Sequence, residues 1–433
     1  RFWSDLKEHS FTANGVFTIP FKLFDEKQQL SFGGSSVIRF RDFWSRIFRY
    51  REASLPQFDE HLSGLPFDQI FKRENFGLHG YVLDDFTGNA DKYFGISTIN
   101  SGFLMLDNKL FDKIRLVWGA RLEFFEQYLR SKDVSSKQID LNTETWDVLP
   151  SLNLSYSVNN QHTMRFAAFQ SVARPEFREI APFQFFDYEA HYGVSGNPEL
   201  KRTKILNLDL RYEIYPKAGE VFTLGAFYKR FSNPIEFRLD PGSNADRRLY
   251  FYQNAVDATT YGAELEWRKG LGFIGGKFFS GLTAFGNLTY LFSDVRFPDA
   301  SSAGQTISSN RPIQGQSPYL INGGLQYSGN PVDITVLYNR IGPRLALVGN
   351  GEFPDVYERP RNLLDLQISK RILKKKGELR LTASDILNNA VFLYENKGGS
   401  KEYSTGKGDR LFSSYRAGTT FSIGFTYDFD LKK

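Results

Sequence analysis

Residues 206–214 have the sequence LNLDLRYEI, in which apolar side chains alternate strictly with polar or charged ones. The same alternation occurs in YGAELEWR at residues 261–268 and in LDLQIS at residues 364–369. Successive side chains of a β-strand point to opposite faces, so this period of two predicts strands with one apolar and one polar face. Alternation alone leaves two fold classes open, because the apolar face can meet the core of a soluble sandwich or the lipid of a membrane.

The links between the predicted strands separate these two fold classes, because short and long links take turns along the chain. The short links carry turn residues and lie at residues 25–27, 107–109, 159–160, 215–219, 329–331 and 374–377. The long links are polar with scattered aromatic residues, and they include residues 52–90, 173–202, 296–318 and 389–413. An outer-membrane barrel has tight turns at one rim and long loops at the other, whereas a sandwich needs no such asymmetry. The sequence therefore predicts an all-β fold, a transmembrane antiparallel β-barrel.

About 15 segments fit strands of this barrel. We expect strands at residues 8–23, 28–50, 92–107, 112–130, 145–158, 161–172, 203–215, 220–231, 249–269, 276–295, 319–328, 332–342, 362–373, 378–388 and 414–429. Bacterial single-chain barrels have an even number of antiparallel strands. An odd set cannot close by antiparallel pairing alone, so we expect an odd number of further strands before residue 1.

The last predicted strand has the sequence FSIGFTYDF at residues 421–429, with an unbroken apolar face. This pattern is typical of a closing strand whose outer face meets lipid. Aromatic residues make up 16% of the chain, as expected for a barrel with aromatic girdles.

Composition excludes several other classes of protein. The mean hydropathy is −0.39 and no apolar run approaches the roughly 20 residues of a membrane helix, which excludes a helical membrane protein. There is no Cys, so disulfide and thiolate chemistry are excluded. The net charge is +5, but the basic residues alternate with acids and form no stripe suited to nucleic acid, so we expect no nucleic-acid partner.

Several motifs resemble the C-terminal barrel of a TonB-dependent outer-membrane receptor of the kind common in Bacteroidetes. The two main motifs are RPEFRE at residues 174–179 and GNPELK at residues 196–201, directly before a strand. Supporting stretches are Asn254 with residues 262–266, RPIQGQSPY at residues 311–319, ASDILN at residues 383–388 and GTTF at residues 418–421.

The resemblance implies a 22-stranded barrel in which residues 1–433 form the C-terminal portion of the receptor barrel domain. Some seven strands and an N-terminal plug are then expected before Arg1. The resemblance also implies location in the bacterial outer membrane, contact with its lipid, and nutrient uptake energised by the TonB complex through the missing N-terminal region.

No constellation of an enzyme or a cofactor site stands out. The five histidines are scattered and there is no Cys to complete a metal site, so we expect no catalytic residue, no cofactor and no metal. Asp84, Asp85, Asn89 and Asp91 could offer oxygens to Ca²⁺, but their spacing matches no EF-hand, and solvated acidic loops are the simpler interpretation.

The loop after Ala173 is the candidate ligand-contacting segment, because arginine and aromatic side chains are the usual anchors of recognition. The candidates are Arg174, Arg178, Phe183, Phe186 and Tyr188. A structural role in ordering the rim is the alternative. The charged faces of the strands at residues 206–214 and 261–268 are expected to point into the lumen, either as a hydrated wall against a plug or as a ligand path.

The sequence thus predicts a receptor that actively imports a specific ligand, with the barrel as the gated pore and the external loops as the ligand site. A structural or docking barrel that anchors a surface lipoprotein or a secretion assembly is the rival hypothesis. An outer-membrane enzyme would need a nucleophile and a base in the lumen, which the histidine supply does not favour. The ligand itself is not predicted.

Overall fold

The computed structural model describes residues 2–23, 26–54, 57–88, 91–132, 135–182, 184–187, 192–243, 248–297, 311–329, 331–350 and 352–429. In chain order the strands are β1 Phe2–Leu23, β2 Glu26–Glu52, β3 Tyr81–Asp85, β4 Lys92–Leu110, β5 Ile114–Lys132, β6 Gln138–Ser157, β7 His162–Ala173, β8 Gln184–Asp187, β9 Tyr192–Ser195, β10 Thr203–Ile214, β11 Val221–Ser232, β12 Ile235–Leu239, β13 Leu249–Asn254, β14 Asp257–Gly270, β15 Leu282–Arg296, β16 Tyr319–Ser328, β17 Val332–Ile341, β18 Arg344–Leu347, β19 Val356–Glu358, β20 Arg361–Ile372, β21 Gly377–Ser384, β22 Val391–Glu395, β23 Arg410–Tyr415 and β24 Thr420–Tyr427.

In the described part of the chain, helices are few and short. The α-helices are α1 Phe67–Ile70, α2 Phe177–Ile180 and α3 Gly276–Ser280. The 3₁₀ turns are Glu60–Gly64, Arg73–Asn75, Gly272–Ile274, Leu373–Lys375 and Thr405–Lys407. Within the described residues, no helix combines the length and apolar character needed to cross a membrane.

One antiparallel sheet forms the wall. Its strand order is β1-β2-β4-β5-β6-β7-β10-β11-β14-β15-β16-β17-β20-β21-β24, and β3 pairs with the far end of β2. Each predicted segment overlaps one of these fifteen wall strands, so the predicted fold class is confirmed. Within the described residues β1 pairs only with β2 and β24 only with β21, which leaves two free edges.

The cross-strand register gives the wall one apolar face. A single row of directly paired, apolar side chains crosses ten strands, and it consists of Ile19, Leu30, Leu106, Trp118, Leu152, Ala168, Leu208, Tyr228, Tyr261 and Phe292. Because no layer of described residues covers this face, its side chains are widely exposed, with Leu210 at 50% and Tyr261 at 51%. We call it the lipid face.

The opposite face, which we call the lumen face, is polar. A paired row across eight strands consists of Ser157, Thr163, Glu213, Thr223, Glu266, Asn287, Asn322 and Asn339. The side-chain amides form a ladder, since Asn339 Nδ2 donates to Asn322 Oδ1 at 2.5 Å and Asn322 Nδ2 donates to Asn287 Oδ1 at 2.7 Å. The predicted division of residues 206–214 between the two faces is therefore confirmed.

The links alternate as predicted. We call the end with the links β1–β2, β4–β5, β6–β7, β10–β11, β14–β15, β16–β17 and β20–β21 the short-turn rim, and the opposite end the long-loop rim. At the long-loop rim, two small sheets are built from loop strands, in the orders β12-β13-β9-β8 and β18-β19-β22-β23. The amide of Leu239 donates to the carbonyl of Val348 at 3.0 Å and joins them. Side chains of both sheets share one buried cluster, which includes Leu239, Tyr250, Leu347 and Val356.

Three predicted strands were wrong in their bounds. The segment at residues 414–429 includes the end of β23, which belongs to a loop sheet, as well as β24 of the wall. The segment at residues 249–269 is two strands, because Asn254 turns aside to bind loop backbone and only β14 belongs to the wall. The segment at residues 276–295 begins with α3 instead of a strand, since Gly275 and Gly276 take φ values of +93° and +83° that break extended structure. The predicted turn at residues 107–109 lies within β4, and the chain reverses at Phe111 and Asp112, both with positive φ.

Candidate functional site

The loop between β7 and β10 folds back against the lumen face at the long-loop rim. Phe177 of α2 is fully buried in a cluster with Tyr93, Leu129, Ile180 and others. The ring occupies space that Gly95 leaves free, because a Cβ built on Gly95 would lie 2.5 Å from a ring atom of Phe177. A glycine on β4 therefore provides the socket for this loop.

Two arginines of β2 hold the same ring from another side. The guanidinium carbons of Arg39 and Arg41 lie 5.6 and 5.3 Å from the Phe177 ring centroid, within the range of cation–π contacts. Both arginines also pair with Glu176, at 3.4 and 3.6 Å, and Arg41 pairs with Glu8 at 2.6 Å. The RPEFRE motif thus anchors the loop to the wall.

The GNPELK motif closes the other end of the loop. A Cβ on Gly196 would lie 2.0 Å from the carbonyl oxygen of Ala181, so only glycine fits this close approach. The amide of Asn197 donates to the carbonyl of Glu179 at 2.6 Å, and its side chain donates to the carbonyl of Tyr252 at 3.0 Å. Lys201 donates its amide to Asn254 Oδ1 at 2.8 Å, and Asn254 Nδ2 donates back to the Lys201 carbonyl at 2.9 Å.

Asp147 of β6 is the electrostatic centre of this region, and its side chain is 1% exposed. Its two oxygens accept from Arg174 Nη2 at 2.9 Å and from Arg202 Nε at 2.7 Å. Arg174 also pairs with Glu123 at 2.8 Å and lies over the Phe125 ring at 4.8 Å. One carboxylate therefore ties both ends of the loop, just after β7 and just before β10, to the lumen face.

Beside Asp147 lies a cleft of about 330 Å³, which we call the rim cleft. Its described lining includes four cationic residues and no acidic one, and the cationic residues are Arg174, Lys201, Arg202 and Lys204. Thr145 Oγ1 and Arg174 Nε, both on lining residues, are buried and have no hydrogen-bond partner among the described residues. Unsatisfied buried donors next to an excess of positive charge favour an anionic or hydrogen-bond-accepting ligand.

A second buried ionic group lies in the loop sheets. Arg311 and Glu236 pair at 2.9 Å with side chains 4% and 1% exposed, and both Arg311 and Arg238 contact the Phe297 ring. Burial raises the pKa of Glu236, and the nearby Arg311 guanidinium offsets part of that rise. Gln314 of the RPIQGQSPY motif accepts from the Phe237 amide and donates to the Ala346 carbonyl, so this motif joins the two loop sheets.

The predicted ligand residues have different positions. Arg174 is largely buried in the Asp147 network and lines the rim cleft, whereas Arg178 is exposed on α2 and Phe186 on β8 is 43% exposed. Phe183 and Tyr188 lie outside the described residues. Sequence reasoning did not select Lys201, Lys204, Thr145 or Asp147. Lys201 was noted only as the last residue of the GNPELK motif. Asp147 could not be identified from the sequence, because it lies within an ordinary alternating strand pattern.

Asp84 and Asp85, predicted in a loop, lie in β3 instead and pair with arginines of β2. Asp84 pairs with Arg49 at 3.0 Å and Asp85 with Arg46 at 2.6 Å. Hydrogen bonds from Arg46 and Thr87 lower the pKa of Asp85 to about 2. Asn89 lies outside the described residues, and in the described part of the chain no group of three or more His, Asp or Glu side chains could hold a metal ion.

The glycine socket gives a first prediction. Replacing Gly95 with Ala should displace Phe177 and loosen the loop by about 1–2 kcal/mol, in the range for overpacked cores. Hydrogen exchange of residues 174–202 measures the effect. Gly102→Ala on the same strand is the control, because its Cβ would meet nothing closer than 3.8 Å. Equal exchange in both variants would contradict the socket.

Comparisons with known proteins agree with the β-barrel fold. The model of a family described as "Outer membrane protein beta-barrel family" matches residues 68–427. No curated protein matches the chain. Similar solved structures include the copper transporter OprC, with 14% identity and a TM-score of 0.64 over 99% of this chain and 58% of that one. The ferric yersiniabactin uptake receptor FyuA from Yersinia pestis has 13% identity and a TM-score of 0.61 over 99% of this chain and 55% of that one.

A third similar structure is the ferric-catecholate import receptor Fiu from K12 E. coli, with 12% identity and a TM-score of 0.62 over 98% of this chain and 55% of that one. At these identities the likeness shows the fold. The chain spans little more than half the length of these solved structures, from 55% to 58%.

Proposed function

The chain belongs to the outer membrane protein β-barrel family, and from this premise we propose that it forms the wall and external loops of a receptor that imports a small anionic ligand. The long-loop rim then faces outward and the short-turn rim faces the periplasm. Import through so wide a barrel needs a gate and an energy source, which we assign to a plug and the TonB complex acting through a segment N-terminal to this chain.

The rim cleft carries this proposal. Its volume of about 330 Å³ suits a small molecule rather than a polymer. Lys201 and Lys204 line the cleft and are exposed. Arg174 and Arg202 also line it, and both donate hydrogen bonds to Asp147. Positive charge in a cleft with low-dielectric walls attracts anions and raises their association rate. A ligand with carboxylate or phosphate groups therefore fits better than a neutral sugar.

The similar solved structures support a metal-containing ligand as the cargo. Two of the three proteins named above are receptors for ferric chelates and one is a copper transporter. A metal chelate with free carboxylates meets both the size and the charge of the rim cleft. Arg178 and Phe186, exposed on the loop that ends at the cleft, are proposed as additional ligand contacts.

A double substitution tests the charge requirement. Lys201→Ala with Lys204→Ala should weaken binding of an anionic probe, ferric citrate, about tenfold, equivalent to about 1.4 kcal/mol. Binding is measured by titration of the whole receptor at low and at physiological salt, since screening should reduce the difference. Lys397→Ala, an exposed lysine in the loop between β21 and β24, is the matched control.

Two results would contradict the proposal. Stabilisation of the receptor by a neutral disaccharide but by none of a set of small anionic chelates would exclude an anionic cargo. Equal affinity of the double variant and the Lys397→Ala control would exclude the rim cleft as the site. The rival function, a docking barrel for a surface lipoprotein, would be favoured by recovery of a stoichiometric lipoprotein complex without any ligand uptake.

A further inference from the structure

The link between β14 and β15 differs from the other links of the short-turn rim. Residues 268–281 have the sequence RKGLGFIGGKFFSG, with three basic residues and no acid. Instead of a tight turn, the chain forms the 3₁₀ turn Gly272–Ile274 and α3. Phe273, Ile274 and Phe278 are 73%, 53% and 58% exposed. Large apolar side chains would be costly in water at this rim, at about 25 cal/mol per Å² of apolar surface.

This link lies on the lipid side of the wall. The Phe278 ring stacks on Tyr327 with the ring centroids 5.1 Å apart. Tyr327 pairs with Leu282 and with Ile334, both in the lipid face. A second contact agrees, since the Lys269 ammonium lies 6.0 Å from the Phe273 ring centroid and Lys269 has the same parity on β14 as Leu265 and Trp267.

An apolar groove adjoins the link. It has a volume of about 460 Å³. Its described lining is mostly apolar and consists of Pro216, Glu220, Val221, Phe222, Leu265, Trp267, Arg268 and Lys269. Phe222 and Trp267 are directly paired across β11 and β14, so the groove continues the lipid face down to the rim. At its lower end Lys269 pairs with Glu220 at 2.8 Å, while Lys277 is exposed on α3.

We propose that residues 271–280 are an interfacial anchor that binds a phospholipid of the periplasmic leaflet, with an acyl chain in the groove and the anionic headgroup at Lys277 and Lys269. Aromatic and aliphatic side chains of the link enter the boundary between headgroups and acyl chains, where amphipathic segments lie. The basic residues then meet the phosphate, and each contributes attraction to anionic lipid near the surface. The continuity of the groove with the lipid face identifies the occupant as a membrane lipid.

Residues 1–433 contain no Cys, so a single Cys can be introduced and labelled in them after any Cys elsewhere in the receptor has been replaced. A bimane label on Ile274→Cys, in the whole receptor reconstituted in phosphatidylglycerol vesicles, should be quenched at least threefold more by brominated acyl chains than a label on Asn160→Cys. Asn160 lies in the polar turn between β6 and β7 at the same rim. Iodide in the buffer should instead quench the label on Asn160→Cys more strongly than the label on Ile274→Cys. Equal quenching of both positions by iodide would overturn the anchor.

The headgroup is tested separately by counting lipids that remain bound after detergent extraction. By native mass spectrometry, the unaltered receptor should keep at least one phosphatidylglycerol, and Lys277→Glu should reduce this occupancy about fivefold. Lys277 is exposed, so the variant should fold, which heat-modifiable migration checks. Retention of phosphatidylcholine as well as phosphatidylglycerol, unchanged in Lys277→Glu, would overturn headgroup recognition and leave only nonspecific annular lipid.

Discussion

Replacing Leu210 with Arg should destabilise the barrel by about 2–4 kcal/mol, the cost of a cationic side chain at the membrane midplane of an outer-membrane barrel. Leu210 is the central apolar residue of the LNLDLRYEI stretch and is paired with Phe166 and Ala226 on the lipid face. Both directly paired residues are apolar, so neither offers an acid to an arginine at this position. The measurement is urea unfolding of the whole protein in vesicles, followed by heat-modifiable migration on gels.

Asn153→Arg is the control for that substitution. Asn153 is exposed on the lumen face of β6 and lies between two lipid-face residues, Leu152 and Leu154. An arginine there reaches water in the lumen, so its effect should stay below about 1 kcal/mol. Asn207, another lumen residue, would be a poor control, because it is 3% exposed and hydrogen-bonded to Ser171. Greater damage from Asn153→Arg than from Leu210→Arg would invert the assignment of the two faces.

The wall was predictable from the sequence because its two faces meet different media. Lipid on one side and an aqueous lumen on the other impose a period of two that survives in almost every strand, as in LDLQIS and FSIGFTYDF. The register between strands was not predictable, because the alternation within one strand does not specify its offset relative to the next strand. The structure supplies it in rows such as Leu152, Ala168, Leu208 and Tyr228.

The rim was predictable only in part because its structure depends on contacts between distant segments. Strand β13 pairs in parallel with β9, more than fifty residues earlier, and nothing in the local pattern separates it from β14. Asp147 is likewise an ordinary lumen-face residue of β6 until Arg174 and Arg202 reach it from the loop. Lys201 was visible in the sequence, but as part of a motif and not as a member of a basic cleft.

The motifs that carry the resemblance to receptors have structural roles in the described residues. Gly196 permits a close backbone approach, Asn197 and Asn254 satisfy loop backbone groups, and Phe177 fills the socket above Gly95. These contacts hold the loop between β7 and β10 against the wall, and we call this part of the long-loop rim the frame. Ligand specificity is then expected from residues that the frame presents, such as Lys204 and Phe186, rather than from the motifs themselves.

Replacing Asp147 with Asn should loosen this frame by about 3 kcal/mol. Breaking a buried ion pair costs about 3–5 kcal/mol because an unpaired charge remains, and the lower end applies since Arg202 is 25% exposed. Arg174 would keep Glu123, but Arg202 would lose its only carboxylate within the described network. Hydrogen exchange of residues 174–202 should accelerate on the order of 100-fold while the wall strands remain protected. Ligand uptake should fall with unchanged surface level.

Asp140→Asn on the same strand is the matched control. Asp140 pairs with Arg130 at 2.8 Å, but the side chains are 40% and 57% exposed, and an exposed pair contributes about 0–1 kcal/mol. Uptake and loop exchange should therefore stay near those of the unaltered protein. If both variants behave alike, the buried carboxylate does not organise the rim. If Asp147→Asn accelerates exchange across the wall as well, the residue serves barrel folding, and the rim cleft would need another means of holding its two arginines in place.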